Sequence, residues 1–382
     1  MKNMVIRLLV LLIIVSVQVK AQSEFQAPVQ KALDSVMKEF DMVGLSVVVY
    51  KNNKQVYANN SGYKNLAEKT PLTETDIFRI ASISKSFTST ALLQLVEKKK
   101  ISLDDDVSDL IGFTVRNPNF PDKKITLEML LSHRSSISDK QGYFTLDVID
   151  PSKSENAEKC YNDYEPGSKY QYCNLNFNMA GAILERLTNV RIHEYIQQQI
   201  LNPLGLYGGY WVDGLDSNRF VPLYTYNSQS ATYEVSPAAY HPRREELKNY
   251  TIGYTTPIFS PTGGMKMSSV DLARYMAMHM NYGKYDGVRI LKKKTSQRMQ
   301  KSLGDDGGYG LALSESKYMI PGRTLIGHTG SAYGLYSAMF FDPKEKFGFV
   351  VITNGGRAAY KNDTNQLLAA TIQTLYKYLI VE

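Results

Sequence analysis

Ser82 and Lys85 stand three residues apart in Ser82-Ile83-Ser84-Lys85, between the apolar stretch Ile77-Phe78-Arg79-Ile80-Ala81 and the run Phe87 to Val96. On a helix, residues i and i+3 share a face, so the Lys85 amine can reach the Ser82 hydroxyl and take its proton as the oxygen attacks a carbonyl. At a strand-to-helix junction the serine also has helix N-terminal N–H groups beside it, which favour the charge of an oxyanion. The same spacing occurs at Ser35/Lys38, Ser61/Lys64 and Ser314/Lys317. Only the Ser82 copy follows an apolar segment and heads a long apolar-periodic one, with Ile83, Phe87, Ala91, Leu92, Leu95 and Val96 on the buried side. Taken alone, the pair reads equally well as a helix-capping serine with a solvated lysine.

A serine with a lysine base needs a proton relay, a pair of N–H donors for the oxyanion and a platform that aligns the substrate. Tyr172-Cys173-Asn174 begins a helical pattern after Glu165-Pro166-Gly167, so Tyr172 and Asn174 can project from a loop or a helix start. A phenol held near a cationic lysine is expected to have its pKa lowered and to shuttle protons to a leaving group. Gly327-His328-Thr329-Gly330-Ser331 sits just before a predicted strand, and its small residues allow a substrate to approach the backbone closely. By themselves, a tyrosine in a chain with 27 of them reads as packing and the glycine-rich segment as a turn.

The elements that must position these residues can be read from hydrophobic period. Pro28 to Phe40 has helical spacing, and Gly44 to Tyr50 and Gln55 to Tyr63 form a hairpin about the turn Lys51-Asn52-Asn53-Lys54. Near the other end, Leu335 to Phe341 and Phe347 to Thr353 are strand-like and flank the turn residues Asp342 to Lys346, and Asn365 to Leu379 closes the chain as an amphipathic helix. Both chain ends therefore build one antiparallel sheet flanked by terminal helices, and the middle of the chain is inserted between them. The predicted class is α/β in an α+β arrangement, with a sheet subdomain over about 22–75 plus 256–382 and a mostly helical insertion over about 76–255. Predicted helices in the insertion cover Ser82 to Glu97, Leu127 to Ser132, Asn174 to Leu187 and Ile192 to Leu201, and Gly208 to Ser260 reads as loops with short strands.

With 382 residues and 43% hydrophobic composition, the chain buries a real core, which excludes disorder and fibre. Lys2 and Arg7 precede the apolar run Leu8 to Val15, and Val19-Lys20-Ala21 offers small residues at a cleavage position, the pattern of a secretory signal peptide over 1–21. The run is short for a membrane span, so a mature protein in the periplasm or outside the cell, without stable membrane insertion, is expected. Loss of Lys2, Arg7 and Lys20 takes the net charge from +7 to +4, and no basic stripe with interleaved aromatics appears, so nucleic-acid binding lacks support. Cys160 and Cys173 can form a disulfide in such a compartment or remain two buried thiols. The chain has no G-x-S-x-G elbow, and His133, His193, His241, His279 and His328 have no obvious serine partner, against a Ser-His-Asp hydrolase. Without an H-E-x-x-H segment, a metal hydrolase is equally unsupported.

Ser-x-x-Lys, Tyr-x-Asn and His-Thr-Gly, in this order and at these separations, resemble the active-site motifs of the serine β-lactamase and penicillin-binding protein family, in its class C β-lactamase and D-Ala-D-Ala carboxypeptidase branch. Phe78-Arg79-Ile80-Ala81, Ile101 to Val107, Leu130 to Ser136, Asn202 to Leu206, Ser260 to Gly264 and Ser268 to Leu272 look like the same family, over about residues 43 to 356. The resemblance implies a β-lactamase/transpeptidase-like fold with its site in the groove between sheet and helical parts. It implies Ser82 as the acylated nucleophile, Lys85 as its base, Tyr172 as the proton relay and Asn174 as a ligand of the substrate amide. His328 and Thr329 would recognise a substrate carboxylate or carbonyl, beside Gly330, and the N–H groups of Ser82 and Ser331 would form the oxyanion hole. Neither a metal nor an organic cofactor is implied.

Two positions depart from the pattern. Many β-lactamases of this group carry lysine at the position of His328, and a neutral imidazole attracts a carboxylate less, which favours peptidase or esterase relatives. Ser136 stands where relatives usually have glycine, and His133 is expected to be structural. The expected function is an exported serine hydrolase acting on an amide or ester: D-alanyl or D-amino-acid peptides, including peptidoglycan-derived ones, short esters or β-lactams. A slowly acylated or non-catalytic penicillin-binding or sensing module on the same fold is the alternative. Residues 135 to 165 and 208 to 258, which match the family least, are expected to build the pocket walls.

Overall fold

Every residue from Gly44 to Tyr50 is buried, which requires the strand they form, β1 (Gly44–Lys51), to be covered on both faces. The computed structural model describes residues 27–304 and 308–381; the expected signal peptide, 1–21, lies outside the described residues. Around β1 a seven-stranded antiparallel sheet is assembled from both ends of the chain. In chain order its strands are β1, β2 (Lys54–Asn65), β3 (Thr70–Pro71), β4 (Ser314–Ser316), β5 (Leu325–Ala332), β6 (Leu335–Asp342) and β7 (Phe347–Thr353). In space they lie in the order β4-β5-β6-β7-β1-β2-β3.

The pleat of β1 sorts its side chains between two cores. Leu45, Val47 and Val49 pack with Leu33 and Phe40 of the N-terminal segment and with Leu368 and Ile372 of the C-terminal helix. Val48 and Tyr50 face the other way, into the large core shared with the helical part. The terminal helices are α1 (27–39) and α9 (Gln366–Tyr376), as the periodicity predicts. Lys51 pairs with Lys54 across Asn52 and Asn53, whose φ of 52° and 65° makes this the tight two-residue hairpin that asparagine favours.

The inserted part holds α2 (Ser84–Glu97), α3 (Val107–Ile111), α4 (Leu127–Leu131), α5 (Asn174–Thr188) and α6 (Ile192–Ile196), and the last continues as one wide turn, Gln197–Leu201. Against the sheet face opposite the terminal helices lies α7 (Ser269–Met280), where Ser269 and Ser46 of β1 share a buried hydroxyl contact of 2.7 Å. That helix and α8 (Lys293–Gln300) were not among the predicted elements. Within 208–260 the structure has a short hairpin, Tyr224–Asn227 with Thr232–Val235, and several single helical turns. A small three-stranded sheet of Phe78–Arg79, Lys266–Met267 and Gly208–Gly209 ties the segment leading to Ser82 to α7. Among the described residues no helix is long and apolar enough to cross a membrane.

Candidate active site

Ser82 lies in a single 3-10 turn, Ala81–Ile83, that leads directly into α2. Ala81 holds a left-handed φ of 48°, a conformation that costs a non-glycine residue about 1 kcal/mol or more and gathers at functional sites. The turn is stitched from both sides. Ser84 Oγ donates to Ala81 O at 2.6 Å and accepts from Met265 N at 3.0 Å, while Ile80 N donates to Met265 O at 3.0 Å.

One turn along, Lys85 Nζ stands 3.2 Å from Ser82 Oγ and donates to Asn174 Oδ1 and to the carbonyl of Thr262, each at 2.9 Å. The lysine is wholly buried, and loss of water brings its amine down to about 7; the negative charge of Asp139 opposes that shift in part. An amine in this range is available as a neutral base near pH 7, whereas a solvated helix-surface lysine is not.

Asn174 is the first residue of α5, and Cys173 at the cap position supplies no capping side chain. A carboxylate from elsewhere does. Asp139 accepts from Asn174 N at 2.8 Å, Leu175 N at 2.9 Å and Asn174 Nδ2 at 3.0 Å, so it both caps the helix and orients the amide that holds Lys85. Sequence reasoning did not single out Asp139; the available signal was a helix start without a local cap. The Cys173 thiol also donates to Asp139, at 3.1 Å, and Cys160 to the carbonyl of Val148, also at 3.1 Å; both cysteines are free and buried.

Tyr172 lies in the loop just before α5, and its hydroxyl is buried with no hydrogen-bond partner among the described residues. Its ring lies 4.8 Å from Lys85 Nζ. The expected lowering of this phenol's pKa is not found: burial pushes it up, and the neighbouring Ser82 hydroxyl offsets only part of that rise. The physical reason is burial: taken out of water, the phenolate is disfavoured more than its neighbours can offset. His133 backs the ring at 4.3 Å between centroids, and its Nδ1 accepts from Cys173 N at 3.1 Å. That bond puts the proton on Nε2, and burial keeps the imidazole neutral. Ser136, in the same loop, has a φ of 61°, the backbone region glycine favours.

His328, Thr329, Gly330 and Ser331 lie on β5 itself rather than ahead of a strand. Gly330 is required by close approach, since a Cβ there would come within 2.4 Å of both Ile80 O and Ser337 Oγ. This contact sets β5 beside the turn that holds Ser82. His328 is buried and neutral, brought down to about 4 by loss of water and by Lys85. Its Nε2 is 2.8 Å from the Tyr309 hydroxyl, a residue that sequence reasoning did not single out, and its Nδ1 is bonded to the Thr329 carbonyl. Neither nitrogen is left to face a substrate.

Ser82, Tyr172, Asn174, His328, Thr329 and Ser331 all line one groove of about 600 Å³. Lys85 and Gly330 do not line it: Lys85 is bonded to its lining residues Ser82 and Asn174, and Gly330 packs against Ile80 and Ser337. Tyr143 and Phe144, from the 135–165 segment, form part of its rim with Tyr333. Among the described residues no cluster of His, Cys, Asp and Glu is placed to hold a metal ion.

The whole fold is shared with proteins of known structure. EstCE1, a hydrolase with promiscuous acyltransferase activity, superposes with a TM-score of 0.73 over 93% of this chain and 99% of its own, at 21% identity. A D-amino acid amidase from Ochrobactrum anthropi SV3 gives 0.72 over 93% and 99%, at 19% identity. By sequence, Protein flp of Staphylococcus aureus (strain N315) is 22% identical over 352 residues, 87% of this chain, and the chain spans 64% of that relative's length. The Beta-lactamase family model matches residues 29–372, which contain every residue of the groove, and the chain belongs to that family.

Proposed function

We propose that this protein is an exported serine hydrolase that cleaves an amide or ester through an acyl-serine intermediate. The observation that carries the reading is the buried Lys85 amine, brought down to about 7 and 3.2 Å from the Ser82 hydroxyl. Neutral Lys85 takes the Ser82 proton as Oγ bonds to the substrate carbonyl carbon, and the N–H groups of Ser82 and Ser331 stabilise the oxyanion. The proton then passes from Lys85 by way of the Tyr172 hydroxyl to the leaving nitrogen or oxygen as its bond to carbon breaks. In deacylation Lys85 draws a proton from water as the water oxygen bonds to the acyl carbon, the bond from that carbon to Ser82 Oγ breaks, and Lys85 returns the proton to Oγ. Asn174, held by Asp139, keeps a second amide hydrogen for the substrate.

Peptides with D-residues and short esters are the preferred substrates, with β-lactam turnover weak. The neutral, fully engaged imidazole of His328 supports this, because it offers no positive charge to a β-lactam carboxylate. The hydrolase and amidase named above support the same class of substrate, and the segment from Lys2 to Ala21 supports export.

The test treats purified protein with a fluorescent penicillin and a chromogenic ester, in parallel with Ser82→Ala. Turnover that falls at least ~10³-fold in the variant is expected. Labelling of Ser82 without turnover would make the chain a penicillin-binding module, and turnover independent of Ser82 would defeat the proposal.

A further inference from the structure

Arg79 and Lys266 are direct cross-strand partners in the small sheet beside the nucleophile turn. Like charges at such positions repel, and the cost grows away from water. Arg79 donates to the carbonyls of Gly263 at 2.8 Å and Ala239 at 3.3 Å, and reaches Ser260 Oγ at 3.5 Å. Lys266 is buried, and its Nζ donates to Tyr210 O at 2.6 Å. Among the described residues no carboxylate forms an ion pair with either.

Both side chains line a recess of about 40 Å³ together with Arg243, and among the described residues no acidic one lines it. Arg243 is half exposed and only loosely paired with Glu246, at 3.7 Å. The recess shares Arg79, Tyr143, Phe144, Ser260, Thr262 and Tyr333 with the Ser82 groove, so a molecule in one can extend into the other. Its volume is more than the minimum that admits one water, and its basic lining suits the head of a small anion.

We propose that this recess is a carboxylate subsite, in which Arg79, Lys266 and Arg243 hold an acidic group of the substrate remote from the bond that Ser82 attacks. The inference rests on the hydrolase reading and narrows its substrates to acidic ones. A guanidinium presents paired N–H donors that match a carboxylate, and the anion supplies the charge that the facing cations lack. Desolvation, with the charges of Arg79 and Arg243, holds the Lys266 amine well below its ordinary range, and a carboxylate beside it would favour its charged form.

Calorimetric titration of Ser82→Ala, which cannot complete turnover, with glutarate at low ionic strength tests the subsite, and neutral glutaramide is the control. Glutarate is expected to bind at least ~10-fold more tightly than glutaramide. Lys266→Met in the Ser82→Ala background should weaken glutarate at least ~10-fold, and Arg243→Ala, at a surface position that tolerates truncation, about 3-fold. Equal binding of the two compounds, or unchanged glutarate affinity in a folded variant, would overturn the proposal. Because binding is read without turnover, loss of the hydrolase reading in the ester assay and loss of the subsite are separate results.

Discussion

Lys85 Nζ lies 3.2 Å from Ser82 Oγ, and its other two hydrogen-bond partners, the Asn174 amide oxygen and the Thr262 carbonyl, are both neutral. Among the described residues no carboxylate is in contact with it, and desolvation governs the amine and brings it to about 7. The active species is the deprotonated form, so kcat/KM for a chromogenic ester should rise with pH through about 7 and then level off. His328, at about 4, and His133, lower than its ordinary value, titrate below that range and cannot mimic this limb. A profile that is flat between about pH 5 and about pH 9 would remove Lys85 from the role of base.

Asp139 acts on Lys85 through charge and on Asn174 through hydrogen bonds. Asp139→Asn removes the negative charge that holds the lysine pKa up, so the acidic limb of the rate profile should move to lower pH. The same change weakens the cap of α5, at a cost of about 1 kcal/mol in urea unfolding. An unmoved limb would show that this charge does not reach the amine.

The Tyr172 hydroxyl separates stability from catalysis. Among the described residues it is buried without a partner, so Tyr172→Phe should leave the unfolding free energy unchanged or raise it by up to about 1 kcal/mol. If the phenol relays protons, the same variant loses about 10²- to 10⁴-fold in kcat. Full activity in Tyr172→Phe would assign the relay to water.

At Gly330 the test is steric. A Cβ within 2.4 Å of Ile80 O and Ser337 Oγ forces β5 away from the nucleophile turn. Gly330→Ala should cost about 1–3 kcal/mol in thermal or urea unfolding. Acyl transfer should fall with it, because Ser331 then moves relative to Ser82. A variant of native stability and rate would mean the strand and turn separate without cost.

Much of the site is legible in the chain because its motifs are local. Ser82 and Lys85 share a helix face at a spacing of three, Tyr172 and Asn174 flank one helix start, and His328 to Ser331 are contiguous. The hairpins and terminal helices announce themselves by period, as β1, β2, β6, β7 and α9 show. The His-Thr-Gly segment is read as preceding its strand because glycine and serine carry weak β preference, and pairing with β6 decides the matter.

The motifs of the chain carried the resemblance to the family that its family model shows, their spacing singled out Ser82 and Lys85 as the candidate pair, and hydrophobic period placed both chain ends in one sheet. Only the tertiary structure decided the electrostatics: that Lys85 is dry and near neutral, that Tyr172 is pushed up rather than down, that His328 is spent on Tyr309, and that Arg79 faces Lys266. Solvation is the reason. A pKa or an unpaired charge depends on everything packed around a group, and those neighbours, such as Asp139 beside Asn174, come from segments remote in sequence whose approach no local pattern encodes.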